Sequence, residues 1–436
     1  MDSDYIDKIV GRWRLRRHLG SGGLGDVYLA ERIDGIVNQS GALKILRRAD
    51  FSPAEVDILR SFRHPNIAMH LDDGVTEDGR SYLVMEYVDG LAITDYADQM
   101  GLSIDERLAL FLQVCRAIEH LHTHLVAHLD LKPENILVTA KGQVNVVDFE
   151  NARQLADRNT ECPMSFSGPY ASPELAAGDP KTSQPADIYA LGAVLYELLC
   201  GHEPFNPFLG AGELERQISE EMPRPPSERV NQTKLKYNES GKYSRIEPDR
   251  IAEMRRLRQA SDLRNALSGN LDRVSLFALR KDPSRRYKAV AHFARDIGML
   301  LDGKTPPIAK SGDPMFAALQ TARRRQFELL GATAILGASL SFLALFDATK
   351  NAGSASRQLK SQCDRASQNV LAAMRSDLRS KLAADGRYRQ SLATLDAALR
   401  TVGQLPAAKT EWDRLDESRE LHQQIWRRIW KEATGK

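Results

Sequence analysis

Residues 124–150 read HLVAHLDLKPENILVTAKGQVNVVDFE. The first half of this stretch is a short loop that carries Asp130, Lys132 and Asn135 among apolar neighbours. The second half is a mostly apolar run that ends at Asp148, thirteen residues beyond Asn135. One carboxylate is therefore placed by the loop and another by the end of the run, and this pairing decides the fold and function more than the rest of the chain.

The loop at residues 128–135 (HLDLKPEN) resembles the catalytic loop of protein kinases, and the Asp-Phe pair that begins at Asp148 resembles the start of their metal-binding motif. Phosphoryl transfer from ATP requires mainly positioning of the acceptor hydroxyl and neutralisation of phosphate charge. The resemblance implies that Asp130 accepts or orients the hydroxyl proton. It also implies that Asn135 and Asp148 hold Mg²⁺, with Mn²⁺ as a second candidate. Lys132, implied to lie beside the γ-phosphate, is typical of the Ser/Thr class.

The other parts of such an enzyme occur in the expected order. Residues 20–28 read GSGGLGDVY, a G-x-G-x-x-G-x-V pattern whose glycines let the backbone approach phosphates. Alone this match is weak, because Gly-rich turns are common. Lys44 follows as the lysine for the α- and β-phosphates, and Glu55, in a helical pattern at residues 54–59, is its ion-pair partner. The implied catalytic residues are Asp130, Lys132, Lys44 and Glu55.

An apolar strand at residues 82–88 (YLVMEYV) leads into the predicted hinge, where backbone groups bond the adenine edge and Met85 is the gatekeeper. The implied ATP-binding residues are Gly20, Gly22, Gly25, Val27, Ala42, Lys44, Glu86 and Val88.

Three downstream residues are predicted to have structural roles. Glu174 closes a Ser-Pro-Glu motif that resembles the end of the activation segment, and Arg286 is its predicted partner. Asp187 resembles the buried aspartate of the next long helix. The ordered set covers residues 13–301 and resembles the bacterial eukaryotic-like (Hanks-type) Ser/Thr kinases. The implied fold is α+β and bilobal, with an N-lobe at 13–88 (an antiparallel sheet and one helix) and a mainly helical C-lobe at 89–301.

Two residues depart from the family pattern. Leu129 stands where most members have an Arg that grips a phosphate on the activation loop. Glu150 stands where the metal-binding motif normally ends in Gly, which adds a Cβ and a negative charge near the metal. Two interpretations stay open: an active kinase that phosphorylates cytoplasmic proteins and itself in signalling, and a nucleotide-binding pseudokinase that serves as a scaffold. Three further residues lie in the activation segment between Asp148 and Glu174. Ser167 aligns with the family's Thr that bonds the catalytic Asp and Lys, and Thr160 and Ser165 are candidate autophosphorylation sites or only polar loop residues.

The formal net charge of +2 over 436 residues gives no argument for nucleic-acid binding. Basic residues do concentrate at 229–264, with ten Lys/Arg against five Asp/Glu. We interpret this stretch as a solvated helical insertion in the C-lobe, with a docking surface for acidic substrates or lipid headgroups as the alternative.

Residues 329–346 (LLGATAILGASLSFLALF) carry no charge over eighteen positions, about 27 Å as a helix. They predict a single transmembrane helix in the inner membrane, with a buried core helix as the alternative. Arginines at 323–325 place the kinase on the cytoplasmic side, joined by a juxtamembrane linker at 302–328. Small residues at a four-residue spacing, such as Ala334 and Ala338, raise the hypothesis of a homodimer.

Residues 347–436 show the apolar periodicity of amphipathic helices. We predict an extracytoplasmic helical region, either a sensor for a ligand or protein, which would make the chain a receptor, or a stalk. The four cysteines, Cys115, Cys162, Cys200 and Cys363, show neither metal-ligand spacing nor a disulfide framework.

Overall fold

The computed structural model describes residues 5–21, 25–35, 39–47, 60, 62–149, 151–154, 168–237 and 243–310. The chain divides into two units, residues 1–311 and 312–436, and every described residue belongs to the first. The predicted membrane helix, the helical region after it and the predicted helix around Glu55 lie outside the described residues.

The described residues form the following strands: β1 Ile9–Val10, β2 Trp13–Ser21, β3 Gly25–Arg32, β4 Ser40–Leu46, β5 His70–Val75, β6 Ser81–Glu86, β7 Gly90–Ala92, β8 Val126–Ala127, β9 Ile136–Thr139, β10 Val144–Val146, β11 Arg153–Gln154, β12 Lys234–Tyr237 and β13 Tyr243–Ile246. They form the following helices: α1 Ile93–Gln99, α2 Ile104–Thr123, α3 Pro173–Ala176, α4 Gln184–Cys200, α5 Ala211–Glu220, α6 Pro226–Arg229, α7 Pro248–Glu253, α8 Ala260–Leu267, α9 Asn270–Ala278, α10 Val290–Leu301 and α11 Pro307–Lys310. Short 3₁₀ turns cover Pro133–Asn135, Gly168–Tyr170 and Pro283–Arg285.

The first six strands form one antiparallel sheet in the order β1-β2-β3-β4-β6-β5. Strand β4 shows why the sheet has two faces: Leu43 and Ile45 are buried, whereas Ala42 and Lys44, which alternate with them, are only half-buried. Successive side chains of a strand point to opposite faces, so Leu43 and Ile45 join the core with the fully buried Trp13. Ala42 and Lys44 therefore lie on the face that meets the second lobe.

The second lobe is built around helix α4, which is buried along almost its whole length. A helix that is apolar all round is suited to the centre of a large core. It ends at Gly201, whose left-handed φ of 80° is the usual way to terminate a helix. Helix α2 packs against it and begins with a capping box, in which Ser103 and Glu106 bond each other's backbone N–H groups.

The insertion at 229–264 differs from the predicted solvated helical segment. Strands β12 and β13 pair as an antiparallel hairpin, and helices α7 and α8 follow it. Arg255, part of the basic run, is buried, with 2% of its surface exposed. The interpretation as a solvated helical insertion is therefore correct only in part. Helices α7 and α8 are present and most of the described hairpin side chains are exposed, but the hairpin is not helical and Arg255 is buried.

The predicted linker also begins differently. Helix α11 lies inside it, and Ile308 packs against the core of the second lobe. Within the described part of the chain, no helix combines the length and apolar character needed to cross a bilayer. The prediction of a membrane helix at 329–346 remains a prediction, since those residues are not described.

Candidate active site

The backbone of the catalytic loop is held by a carboxylate of the central helix. The N–H of His128 donates to Asp187 Oδ2 at 2.9 Å, and the N–H of Leu129 donates to Asp187 Oδ1 at 2.8 Å. Leu129 has a φ of +63°, a left-handed conformation that costs a side-chain-bearing residue about 1–2 kcal/mol. Asp187, which is fully buried, compensates this cost and so fixes the turn that presents Asp130.

Asp130 receives two side-chain hydrogen bonds from its own loop. Lys132 Nζ lies 2.9 Å from Asp130 Oδ2, and Asn135 Nδ2 donates to the same oxygen at 3.0 Å. Asn135 Nδ2 also donates to the backbone oxygen of Asp130 at 2.8 Å. The carboxylate of Asp130 is therefore oriented by a cation and an amide, and the sequence prediction that these three residues act together is consistent with this geometry.

The two lobes meet at an ion pair. Lys44 Nζ on β4 lies 3.3 Å from Asp148 Oδ1, and the side chains are 14% and 32% exposed, respectively. Asp148 adopts a φ of +60°, which an aspartate tolerates better than most residues. The pair brings together the residues assigned to phosphates and metal. Glu55 and Glu150 lie outside the described residues.

The donor atoms at this junction suit a small divalent cation. The Asn135 amide nitrogen is committed to Asp130, which leaves the amide oxygen as its ligating atom, and Asp148 offers a partly exposed carboxylate. Oxygen ligands of this kind are those that Mg²⁺ and Mn²⁺ prefer. Among the described residues no group of three or more His, Cys, Asp or Glu side chains is arranged to hold a metal. Mg²⁺ commonly binds through one or two protein oxygens together with substrate phosphates and waters.

The nucleotide-facing strands place the other predicted residues around Lys44. Val27 pairs directly with Lys44 across β3 and β4 and with Gly20 on β2. Gly25 is required by packing, because a Cβ there would lie 2.4 Å from the carbonyl oxygen of Ile45, whereas a Cβ at Gly20 would meet nothing within 4 Å. Gly22 lies outside the described residues.

The predicted hinge follows β6. Ala42 pairs with Met85 across β4 and β6, which places the gatekeeper opposite a small residue. The N–H of Glu86 donates to the oxygen of Met69 at 2.7 Å, so the residue that precedes β5 supports the hinge. Val88 lies in the short connection between β6 and β7.

An aromatic contact links the catalytic loop to the metal-binding motif. The rings of His128 and Phe149 lie 4.9 Å apart between centroids, and Phe62 continues the contact at 6.4 Å from Phe149. His128 Nε2 lies 3.2 Å from the oxygen of Val147, one residue before Asp148. Movement of either carboxylate therefore requires repacking of these rings.

A family model described as Protein kinase domain matches residues 13–292. The chain belongs to the protein kinase family. Serine/threonine-protein kinase PrkC of Bacillus subtilis (strain 168) is 40% identical over 212 residues, which are 46% of this chain and 32% of PrkC. Serine/threonine-protein kinase PknB of Mycobacterium tuberculosis (strain ATCC 25618 / H37Rv) is 30% identical over 316 residues, 69% of this chain and 44% of PknB. The chain thus spans about a third to less than half of the length of these relatives. The resemblance to bacterial Hanks-type Ser/Thr kinases is confirmed.

The kinase lobe is closed by the predicted Glu174–Arg286 pair. Arg286 Nη1 and Nη2 lie 2.6 and 2.7 Å from the two carboxylate oxygens of Glu174. The guanidinium is fully buried and also donates to the carbonyl oxygens of Pro185, Arg280 and Lys281. Such a bidentate pair is strong and geometrically specific, and it holds the end of the activation segment against the lobe.

Leu129, the first departure from the kinase pattern, is 3% exposed and packs with Ala127 and Ala186. The side chain that replaces the usual Arg therefore fills a small apolar cluster. Thr160, Ser165 and Ser167 lie outside the described residues.

The sequence prediction missed a group of carboxylates beside the catalytic loop, formed by Glu134, Glu197 and Glu203. Desolvation by the surrounding protein atoms raises the pKa of Glu134, which keeps an exposed surface, and the charge of Glu197 adds to this effect. Burial also raises the pKa of Glu203, with Glu197 as the next cause. One signal was available, since Glu197 is a single carboxylate in the apolar run of helix α4. A buried carboxylate needs a partner, although the sequence does not say which one.

Proposed function

We propose that this chain is a protein Ser/Thr kinase that transfers the γ-phosphoryl group of ATP to Ser or Thr hydroxyls of proteins. One observation carries the proposal: Asp130 is oriented by Lys132 and Asn135 while Lys44 lies at Asp148. The positions needed for the acceptor, the phosphates and the metal are thus gathered at one place. The names of the relatives support the Ser/Thr class.

In the proposed mechanism, Asp130 accepts a hydrogen bond from the acceptor hydroxyl and aligns it with the γ-phosphate. Lys132, at 2.9 Å from Asp130, orients that carboxylate and reaches the phosphate as charge moves onto it. Lys44 exchanges Asp148 for the α- and β-phosphates. A divalent cation at Asn135 and Asp148 would neutralise charge on the phosphate oxygens.

The wider setting is proposed from the sequence. The uncharged stretch at 329–346 and the arginines before it support a single-pass inner-membrane protein with its kinase domain in the cytoplasm. The region at 347–436 would then bind a ligand or protein on the other side, and the small residues of the membrane segment would allow a homodimer.

The test is a γ-phosphate transfer assay on the purified full-length chain with Mg²⁺ and with Mn²⁺. Transfer to a Ser/Thr protein substrate should disappear in Asp130→Asn and persist in Asp105→Asn, an aspartate on helix α2. Equal transfer by wild type and Asp130→Asn would contradict the proposal. Nucleotide binding without transfer under either metal would establish the pseudokinase alternative, and a faster Glu150→Gly variant would show that Glu150 restrains the enzyme.

A further inference from the structure

A lysine of the inserted hairpin lies inside the carboxylate group beside the catalytic loop. Lys234, the first residue of β12, places Nζ 2.8 Å from Glu197 Oε1 and 3.9 Å from Glu203 Oε1. Its side chain is 15% exposed. Glu197 has its second oxygen bonded by the Tyr170 hydroxyl at 2.6 Å. We call Glu134, Glu197 and Glu203 the acidic pocket, and Lys234 is its occupant.

The electrostatics of Lys234 fit occupancy by a charged amine. Burial alone would lower its pKa, but the carboxylates of Glu197 and Glu203 raise it above its ordinary value. Asp98 adds to the same effect, while Arg229 is a second cation near Glu203. With Lys234 absent, Glu197 would lose its ammonium partner, and the remaining cations would be Arg229 near Glu203 and Lys132 near Glu134. The acidic pocket would then attract another cation.

The acidic pocket adjoins the place where an acceptor must bind. Glu134 is four residues after Asp130, is exposed, and feels the charges of both Glu197 and Asp130. It belongs to the 3₁₀ turn Pro133–Asn135 of the catalytic loop and therefore connects that loop with the acidic pocket. An extended peptide advances 3.3–3.6 Å per residue, so a side chain within a few positions of the acceptor hydroxyl can reach Glu134.

The hairpin is fixed where it delivers Lys234. Lys234 pairs in register with Ile246, which packs against the core of the lobe. Two residues along β12, Lys236 bonds Asp95 of helix α1. The occupant thus belongs to an anchored strand.

We propose that Lys234 determines substrate specificity by filling the acidic pocket with a cation of the chain itself. The enzyme therefore does not prefer peptides that carry a basic residue near the acceptor hydroxyl. This inference rests on the proposed kinase function. Removal of the amine should convert the enzyme into one that selects Lys or Arg close to the acceptor. A charge-assisted hydrogen bond to a buried carboxylate corresponds to a gain of roughly ten- to a hundred-fold.

The test uses the full-length chain and Ser/Thr peptides that carry Arg or Gln at each of the five positions on either side of the acceptor. The ratio of kcat/KM for Arg over Gln peptides should be near one in wild type. It should rise about ten-fold or more at one position in Lys234→Ala, and stay near one in Arg245→Ala, an exposed cation on the partner strand β13. An unchanged ratio in Lys234→Ala overturns the proposal.

Two further variants keep the test decisive. Lys234→Met retains most of the side-chain volume and should show the same new selectivity if Lys234→Ala does not fold. Lys234→Met combined with Glu197→Gln should lose it, because the pocket then lacks its central charge; selectivity that survives in this double variant would contradict the role of the pocket.

The failure of the proposed function would be recognised separately. If wild type transfers phosphate to no peptide, kinase activity is rejected, and fluorescence anisotropy of a labelled Arg peptide then decides the inference. Tighter binding by Lys234→Met than by wild type supports it, and equal binding overturns it.

Discussion

The two ends of helix α4 bind opposite kinds of groups. Near the N-terminal end, the carboxylate of Asp187 accepts from the backbone N–H groups of His128 and Leu129 and lies 2.8 Å from His122 Nε2. At the C-terminal end, Arg255 donates to the carbonyl oxygens of residues 197–199, and Arg107 donates to that of residue 198. The arrangement follows the helix dipole, which favours negative groups at the start of a helix and positive groups at its end.

The difference separates two tasks. The N-terminal carboxylate holds a left-handed backbone turn in the catalytic loop, so its contribution goes to the geometry of Asp130. The C-terminal cations bond carbonyls of the last helical turn, where a helix leaves such groups without intrahelical partners, so their contribution goes to stability. The comparison teaches that one buried helix supports catalysis at one end and folding at the other, and the following variants test whether these tasks are separable.

The largest effect is expected from Asp187→Ala. The variant leaves the N–H groups of His128 and Leu129 without their acceptor, and the loop loses the bond that offsets its strained φ. A displacement of about 1 Å in a catalytic group can reduce turnover about 100-fold. We expect kcat for phosphate transfer to fall by at least that factor in protein that circular dichroism shows to be folded. A folded Asp187→Ala variant with wild-type kcat would show that the N-terminal end of α4 does not support catalysis.

The next effect is expected from Arg255→Met. Arg255 is fully buried and makes four hydrogen bonds to carbonyl oxygens. Its loss should lower the free energy of unfolding by about 3–5 kcal/mol, measured by urea denaturation. Arg258→Met is the matched control, since its side chain is 91% exposed, and it should change stability by less than about 0.5 kcal/mol. Equal losses in the two variants would show that burial of Arg255 is not what stabilises this end.

The stability provided by the C-terminal end of α4 should also depend on pH. His202 follows the terminal Gly201, and burial together with Arg229 and Lys234 lowers its pKa to about 3. The unfolded chain protonates this residue near pH 6.5, so its contribution to stability is complete above that pH and is lost as the pH falls toward 3. The slope approaches about 1.4 kcal/mol per pH unit.

His202→Gln keeps a donor for the oxygen of Gln232, which His202 Nε2 approaches at 3.0 Å, but it cannot be protonated. Between pH 6.5 and 5 the wild type should therefore lose about 2 kcal/mol more than this variant, measured by urea denaturation at each pH. If the free energy of unfolding falls equally with pH in the two proteins, His202 is not the source of the pH dependence.

The smallest effect distinguishes two leucines of similar backbone conformation. Leu125 has a φ of +58° and is 55% exposed, whereas Leu129 at +63° is buried. Leu125→Gly should raise the free energy of unfolding by about 0.5–1 kcal/mol, because glycine adopts this φ without a Cβ clash. Leu129→Gly should lower it, since a buried side chain is removed. Thermal melts of both variants test this, and stabilisation by Leu129→Gly would show that strain outweighs packing.

The sequence was sufficient to predict several contacts between residues of the family's motifs. Glu174 and Arg286 were predicted to pair and do so, and Asp130, Lys132 and Asn135 lie in bonding contact. These residues are separated by elements whose lengths the fold dictates. Lys44 was predicted to have Glu55 as its partner, and the described contact is the one with Asp148.

The hairpin was missed for a physical reason. Its first strand, KLKY, alternates polar and apolar side chains, which is a strand signal. The second strand, YSRI, does not alternate, and the density of charge suggested a solvated segment. The pairing of Lys234 with Glu197 depends on where the insertion folds back onto the lobe. No local pattern in the sequence contains that information.

The buried C-terminal end of α4 also contains a cysteine that thiol reagents can label. Cys200, its last residue, is fully buried, with Sγ 3.5 Å from the oxygen of His202, and burial raises its pKa to about 12. Alkylation requires the exposed thiolate to attack the reagent, so labelling of Cys200 requires this end of the helix to open. The rate at which Cys200 is labelled, followed by mass spectrometry, therefore reports how often this end of the helix opens in the native protein. The buried Cys115 of α2 serves as a reference.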